Sequence, residues 1–411
     1  MPLALCEKQA VIREFATKYK SAGKKERSQI ITQLIELTGY SRSHAARVLK
    51  RPPKPGRLRQ PHRKRGLLYG PLVIQALRKV WLILNCISGK RLAPFMPEIV
   101  PILERYGELQ IGDDTRKKLL SMSPATIDRR LAPERRQMAT KGRSGTKPGT
   151  LLKHNIPVRT FAEWNGAETG FVEIDLVAHD GGNACGEYAQ TLDVVDVATR
   201  WTETRAVKNK VQRWVFMALN HIIAKFPFPI RGIDSDNGSE FINAHMVRFC
   251  TQNGITFTRS RAYKKNDSCY VEQKNWTTVR KTVGYLRYDT DAQVCLLNEI
   301  YEVMRLYTNY FQPVMTLTGK ERRGSKVTKH YDIPKTPYQR VMASPCISQE
   351  AKEHLASEYQ ALNPASLRRK ILALTRLLLR SSMRNLEGNA KEQSHARSEH
   401  GTSGITLARY L

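Results

Sequence analysis

Three acidic residues have a type and spacing that could support chemistry on phosphodiesters. Asp175 lies in the apolar stretch FVEIDLVA, where an ionised carboxylate is costly unless it is paired or bound to a metal ion. Asp236 lies in IDSDNGSEF, directly after a short apolar run, and Glu272 lies in KKNDSCYVEQKNW. The intervening segments have 60 and 35 residues. Each acid alone has an ordinary explanation as a cap or a solvated group. Together they could hold two hard cations about 3.5 to 4 Å apart, as in-line phosphoryl displacement requires.

The elements that must position these carboxylates follow from the hydrophobic pattern. Three successive strand patterns, each bounded by turn residues, predict an antiparallel meander; they cover 171–178, 187–197 and 202–208. Helical and strand patterns then alternate over 211–226, 230–234, 240–252 and 255–259, and a further helix begins near residue 267. Strands followed by alternating strands and helices predict a mixed sheet with helices on its faces, of ribonuclease H type.

The charge of the chain indicates a polyanionic partner. Its 68 Lys and Arg residues outnumber its 37 Asp and Glu residues, which leaves a net charge of +31, so nucleic acid is the first candidate. No amphipathic anchor or lipidation motif supports a membrane surface instead, and the apolar run at 80–87 is too short to span a bilayer. Seven scattered cysteines without a CxxC pair argue against a disulfide framework or a zinc ribbon. We expect a cytoplasmic, nucleoid-associated protein of bacterial type.

Residues 37–97 contain no acidic residue, and a helix–turn–helix pattern overlaps the start of this segment. Apolar residues recur at helical spacing from Ile30 to Leu37, Gly39 breaks the run, and Ser41 can cap a second helix. That helix would present its polar residues to a major groove, namely Arg42, Ser43, His44 and Arg47. Ordinary packing of two short helices is the alternative.

A second helical region is predicted over 69–138, with its helix broken at Pro94, Pro97 and Pro101. Ser123 and Pro124 form a helix-start pattern in SMSPATIDRRLAPERR. The helix that follows could be a second recognition helix that offers Arg129 and Arg130 to DNA, or a charged helix that is simply solvated.

The predicted organisation is multidomain, with α and α/β parts. Its segments are a helix–turn–helix region at 1–68, a second helical region at 69–138, a basic linker at 139–164, a ribonuclease H-like core at 165–290, a basic and helical C-terminal region at 291–384, and a disordered tail at 385–411.

The segments around the three acids resemble the catalytic core of insertion-sequence transposases. FVEIDLVAHDGG, DSDNGSEFIN and KKNDSCYVEQKNWTTVRK carry the resemblance, which extends over about residues 139–345. These transposases are related to retroviral integrases and phage Mu transposase and are called DDE enzymes. The resemblance implies that the family's two aspartates are Asp175 and Asp236 and that its glutamate is Glu272. It also implies a ribonuclease H-like core, Mg²⁺ or Mn²⁺ as cofactor, and a homo-oligomer on paired transposon ends. The retroviral HHCC zinc-binding module is missing from the pattern.

Other charged residues near these segments have weaker interpretations. Asp193 could support the site and Asp196 suits a turn, whereas Asp180, Asp234 and Asp267 are neighbours of the chosen acids. Trp276 is expected in the core. Four cations around Glu272 are predicted to contact phosphate, namely Arg261, Lys264, Lys265 and Lys274.

These observations predict a DNA transposase that acts on transposon-end inverted repeats and on target DNA. It would cut at the element end and transfer the 3′-hydroxyl into the target, using two divalent ions. A ribonuclease H-like nuclease without strand transfer and a non-catalytic DNA-binding regulator are the alternatives. The carboxylate set argues against the regulator, and the two DNA-reading regions argue against a simple nuclease.

Overall fold

The computed structural model describes residues 3–52, 68–137, 158–159, 168–236, 238, 240–241, 243–260 and 269–399. Most of the predicted linker at 139–164 lies outside this set, as do Arg261, Lys264, Lys265 and Asp267. The chain divides into two units, residues 1–67 and residues 68–411. The helix–turn–helix region expected at 1–68 corresponds to residues of the first unit, whose boundary is set by packing alone. The predicted segments beyond it pack within the second unit.

The N-terminal unit is a three-helix bundle formed by α1 (Leu5–Ser21), α2 (Lys24–Thr38) and α3 (Arg42–Lys50). Gly39 ends α2 with a φ of 70°, which suits a residue without a side chain, and Ser41 Oγ accepts the backbone N–H of His44 at the start of α3. Leu34, Ala45 and Leu49 are fully buried between the helices. The two predicted helices and their turn are therefore present, and α1 completes their core.

The second unit is built on a mixed sheet of six strands in the order β1-β6-β5-β2-β3-β4. Strands β2, β3 and β4 are antiparallel neighbours, which confirms the predicted meander, whereas β5 lies parallel to β2 and β6 parallel to β5. The strands are β1 (Val158–Arg159), β2 (Phe171–Ala178), β3 (Gln190–Asp196), β4 (Thr202–Val207), β5 (Gly232–Ser235) and β6 (Thr256–Ser260).

Helices from before, within and after the sheet region pack onto it. Helices α4 to α8 precede the sheet, at Pro71–Ile83, Gly89–Arg105, Asp113–Leu120, Pro124–Arg130 and Ala132–Gln137. Within the sheet region lie α9 (Gln212–Ile223), α10 (Ala244–Gln252) and α11 (Cys269–Lys274), which continues as a π-helical turn (Asn275–Arg280) and α12 (Lys281–Val283). One hydrophobic core joins α4 and α5 to the sheet and to the helices after it, so the predicted second helical region is part of this unit.

Helix α5 runs through Pro94, Pro97 and Pro101, so the predicted break at these prolines is wrong. The three prolines lie on the exposed side of the helix, where water can solvate the carbonyls that lose their backbone partners. The opposite side buries a continuous apolar stripe that includes Phe95 and Ile99. Burial of this stripe outweighs the local cost of the prolines.

The C-terminal region contains a hairpin and four helices. Strands β7 (Leu317–Arg323) and β8 (Lys326–Tyr331) form a separate two-stranded ribbon that the sequence pattern did not predict. The helices are α13 (Asp291–Phe311), α14 (Pro337–Ala343), α15 (Gln349–Ala361) and α16 (Pro364–Glu399). Helix α16 continues past residue 384, where a disordered tail was expected, because 385–399 contains many good helix formers. Within the described part of the chain, no helix combines the length and apolar character that a membrane span needs.

Candidate catalytic site

Strand β2 places Asp175 at the centre of the sheet. Its Oδ1 accepts the backbone N–H of Leu176 at 2.8 Å, and its Oδ2 accepts Nδ2 of Asn275 at 2.6 Å. Burial raises the pKa of Asp175 to about 8, and the negative charges of Asp236 and Glu272 act in the same direction. Asp175 therefore lies within electrostatic reach of both other predicted carboxylates.

The register of the parallel strands brings Asp236 next to Asp175. Ile174 of β2 is paired with Ser235 of β5, and the residue that follows each of them is one of these two aspartates. Oδ1 of Asp236 accepts the backbone N–H of Gly238 at 2.8 Å. A Cβ at Gly238 would lie 2.9 Å from that same oxygen, so the absence of a side chain permits this turn. Burial, with a smaller contribution from Glu240, raises the pKa of Asp236.

Glu272 reaches the site from α11, which packs on β2 and β3. Its side chain is exposed, in contrast to the partly buried aspartates. Across the residues that the structure describes, no three His, Cys, Asp or Glu side chains are close enough together to hold one metal ion. Binding of one ion by all three carboxylates would therefore require their side chains to draw closer.

The donor chemistry of this group fits a hard divalent cation. Carboxylate oxygens are preferred ligands of Mg²⁺ and Mn²⁺, and the described side chains of the group offer neither sulfur nor imidazole. The repulsion that raises the pKa of Asp175 is the interaction that a bound cation would relieve. Asp175, Asp236 and Glu272 are the residues that would hold it.

Glu173 is a residue of this site that the sequence analysis missed. It is buried on the same face of β2 as Asp175, and its Oε2 accepts the backbone N–H groups of Tyr270 and Val271, each at 2.9 Å. These donors belong to the first turn of α11, so the strand that carries Asp175 also anchors the helix that carries Glu272. Burial raises the pKa of Glu173 to about 8. Its position two residues before Asp175, in a strand, is the sequence feature that could have identified it.

Arg200 supports the same helix start from the β3–β4 turn. Its guanidinium lies 3.5 Å from the centre of the Tyr270 ring, a cation–π contact. Arg200 is buried and has a φ of 67°, a strained value for a residue with a side chain. The contact with Tyr270 and the charge of nearby Glu173 give this strained conformation a structural role.

Asp193 and Lys274 are both buried beneath the helix that carries Glu272 and interact electrostatically. Asp193 is directly opposite Asp175 across β2 and β3, and Oγ1 of Thr204 donates to it at 2.8 Å. The supporting position expected for Asp193 thus agrees with its place in the sheet. Burial lowers the pKa of Lys274 to about 7, while Asp193 acts in the opposite direction. Lys274 is only 5% exposed, which is inconsistent with the predicted phosphate contact. It follows the exposed Glu272 by two residues and therefore lies on the inner side of the helix.

The structure also shows where Asp196 and Trp276 lie. Asp196 accepts backbone N–H groups of Gly170 and Thr199, which confirms its predicted turn role. Trp276 was expected in the core but is 43% exposed. It lies in the π-helical turn, where the wider helix changes the direction in which successive side chains point.

The remaining predicted DNA contacts fall on two helices. Arg42, Ser43 and Arg47 are exposed on α3. His44 is half-buried, and its Nδ1 lies 2.8 Å from Nη2 of Arg47. Arg129 and Arg130 are exposed at the end of α7. The structure therefore leaves these arginines accessible.

Comparison with known proteins assigns the family. The family model described as "Integrase core domain" matches residues 167–265, which include Asp175 and Asp236 and end before Glu272. The uncharacterized protein y4rM of Sinorhizobium fredii (strain NBRC 101917 / NGR234) is 38% identical over 341 residues, which cover 82% of this chain and 96% of y4rM. The chain belongs to the y4rM family and has an integrase/transposase-type core. The predicted ribonuclease H-like fold is also confirmed.

Two solved integrase cores are similar to parts of this integrase-core protein. The HTLV-2 integrase catalytic core domain, in complex with magnesium, is 14% identical, with 36% of this chain and 92% of that chain covered and a TM-score of 0.28. The catalytic core domain of BIV integrase is 15% identical, with 46% and 99% covered and a TM-score of 0.27. These two similarities are too weak to assign residue roles. The family membership supports polynucleotidyl transfer in the transposase and integrase family.

Proposed function

We propose that this integrase-core protein is a DNA transposase that cuts phosphodiesters at the ends of an element and joins the resulting 3′-hydroxyl to target DNA. The observation that carries the proposal is the strand register that places Asp175 next to Asp236, together with the packing of the helix that carries Glu272 on β2 and β3. Clustered carboxylates with raised pKa values are typical of functional sites.

The protein's own groups hold Asp175 in a fixed orientation. The Leu176 N–H and the Asn275 amide each donate to a different oxygen of this carboxylate. Glu173 holds the start of the helix that brings Glu272 to the same place. Two Mg²⁺ or Mn²⁺ ions would stabilise the negative charge on the attacking and leaving oxygens.

No side chain is required as a nucleophile in this proposal. Water attacks the end phosphodiester in the first reaction, and the liberated DNA hydroxyl attacks the target phosphodiester in the second. His179 is unsuited to act as a base, because it is buried against Thr191 and burial lowers its pKa to about 3. The carboxylates position the reacting groups without a covalent protein intermediate.

The proposed partners are transposon-end inverted-repeat DNA and target DNA. The exposed arginines of α3 support recognition of the ends, and Arg129 and Arg130 of α7 support a second contact. A homo-oligomer would hold two ends together, and the reaction would occur on DNA in the bacterial cytoplasm.

A joining assay tests this proposal. A pre-cut end with a 3′-hydroxyl should join a circular target in the presence of Mg²⁺ or Mn²⁺, whereas the same end with a 3′-dideoxy terminus should bind without joining. Asp175→Asn, Asp236→Asn and Glu272→Gln should each reduce joining by more than about 10³-fold, the scale of removing an essential catalytic group, and should retain end binding.

The alternative functions give different results in the same assay. Metal-dependent nicking without joined product, with both ends and several targets supplied, would identify a nuclease. End binding without either reaction would identify a regulator. Normal joining by any one of the three carboxylate variants would remove that residue from the site.

A further inference from the structure

The β7–β8 ribbon stands apart from the main sheet and is exposed on both faces. Every residue of β8 is exposed, and most of β7 is exposed as well. Isolated two-stranded ribbons are marginally stable in water. Polar contacts hold the base of this ribbon, where its two strands join the rest of the unit. Asp332 accepts the backbone N–H of Thr316 at 2.6 Å and a guanidinium N–H of Arg340 at 2.7 Å. The ribbon is thus held at its base while its strands remain open to a partner.

The pairing of the strands places like charges opposite each other. Lys320 is opposite Lys329, and Arg323 is opposite Lys326. Directly opposed like charges destabilise a strand pair. The sequence of the ribbon therefore does not favour its own pairing, which points to a negatively charged partner.

The two faces of the ribbon differ in whether an acidic residue lies beside the cations. Since paired residues share a face and alternate residues continue it, Lys320, Arg322 and Lys329 lie on one face with Val327. This cationic face contains no acidic residue within the ribbon. The other face carries Glu321, which lies 3.8 Å from Arg323 and 3.3 Å from His330.

The base of the ribbon reaches a cleft next to the helix that carries Glu272. Tyr331 lies two residues beyond Lys329 on the same side of β8. It lines a cleft together with Gln273 of α11 and Thr277 of the π-helical turn. Lys281 and Arg91 line the same cleft, so positive charge continues from the ribbon to the helix that carries Glu272.

We propose that the cationic face of the β7–β8 ribbon binds the phosphate backbone of duplex DNA. This inference rests on the proposed function, because it supplies a holding surface for the DNA on which the carboxylates act. Charge complementarity identifies the partner, and a two-stranded ribbon is narrow enough to follow a major groove about 12 Å wide. The contact is to phosphates, so it is independent of DNA sequence.

A pair of matched double variants tests the surface. Lys320→Ala/Lys329→Ala and Arg323→Ala/Lys326→Ala each remove one directly opposed pair and two positive charges. Binding of the full chain to a random-sequence duplex is measured at increasing salt, without divalent metal. Each lost phosphate contact should reduce the slope of log K against log salt by about 0.9, so the first variant should lose about 1.8. The second variant should lose less than half as much.

The outcomes separate this inference from the proposed function. An unchanged slope in the first variant, or equal losses in both, would overturn the assignment of the cationic face. Loss of self-association at an unchanged slope, measured by sedimentation, would assign the ribbon to a second copy of the chain and also overturn it. The slope difference between the variants would stand even if wild-type protein neither cut nor joined DNA. An unchanged slope together with normal joining would overturn the proposed role of the ribbon and leave the proposed function intact.

Discussion

At the scale of single residues, the site is a set of carboxylates held by neighbours on the same sheet face. Asp175 has Asp236 on one side through the parallel strand pair and Asp193 on the other through the antiparallel pair. The negative charges of Asp236 and Glu272 raise the pKa of Asp175, whereas Asp193 accepts a hydrogen bond from Thr204. In the proposed reaction, Asp175, Asp236 and Glu272 would hold the metal ions, whereas Asp193 would support the helix that carries Glu272.

Glu173 should be a positioning residue for Glu272. Glu173→Leu removes both acceptor contacts to the start of α11, so joining should fall about 10- to 100-fold, as for losses of groups that orient metal ligands, and the half-saturating Mn²⁺ concentration should rise. Glu173→Gln retains an acceptor oxygen at the same place and should restore most activity and the wild-type Mn²⁺ requirement. The measurements are joining rate against Mn²⁺ concentration and thermal unfolding. Equal defects in both variants, or a Leu variant with an unchanged Mn²⁺ requirement, would contradict the role.

At the scale of elements, packing determines which polar helices remain available to DNA. Helix α3 buries Ala45 and Leu49 and leaves its arginines exposed, which is the arrangement that a recognition helix needs. In α11 the same division buries Lys274 and exposes Glu272. One helix therefore presents cations outward, and the other presents a carboxylate.

Removal of two α3 arginines should reduce sequence preference. Arg42→Ala/Arg47→Ala should bind element ends with a loss of about 1–3 kcal/mol for each base contact removed, and should retain most binding to random duplex. Lys20→Ala/Lys25→Ala removes the same charge from exposed positions outside α3 and is the matched control. Competition between end DNA and random duplex at fixed salt provides the measurement. If both variants lose the same preference, α3 is not the reading helix.

At the scale of the whole molecule, one hydrophobic core of the second unit crosses the expected segment boundaries. Val80 and Phe95 from the first helices belong to the same hydrophobic cluster as Val172 of β2 and Phe311 of α13. Separate clusters stabilise the C-terminal helices and the N-terminal bundle. Because the main sheet shares its core with flanking segments, its stability depends on residues far from the candidate site in sequence.

The buried His179 should contribute a loss of stability in acid. Burial lowers its pKa from 6.5 to about 3, so between these values the unfolded chain binds a proton that the folded chain resists. By linkage, the contribution of His179 to stability falls as pH drops below about 6.5, at a limit of about 1.4 kcal/mol per pH unit, while the raised pKa values of Glu173 and Asp175 act in the opposite direction. His179→Gln removes only the histidine titration, so the stability of the variant relative to wild type should rise as pH falls. Denaturant unfolding of both proteins from pH 6.5 to 5 measures the difference, and parallel curves would refute the assignment.

The sequence by itself determined the strands around the candidate site and proposed its three carboxylates. Alternating hydrophobicity and turn residues act locally, so β2 to β6 were found with small shifts at their ends. The helix–turn–helix pair was found for the same reason, since Gly39 and Ser41 act on their immediate neighbours. The charge of +31 identified the kind of partner, because net charge does not depend on the fold.

Only the tertiary structure decided the features that depend on distant residues. The strand register brought Asp236 to Asp175 and made Glu173 an anchor for α11, and neither contact follows from a local pattern. Burial of Lys274 against the sheet overruled its expected role at the DNA surface. Helix α5 continued through its prolines because one face could be buried while the other remained in water. Local patterns set which segments form strands and helices, whereas pairing and burial depend on free energies that exist only after those segments meet.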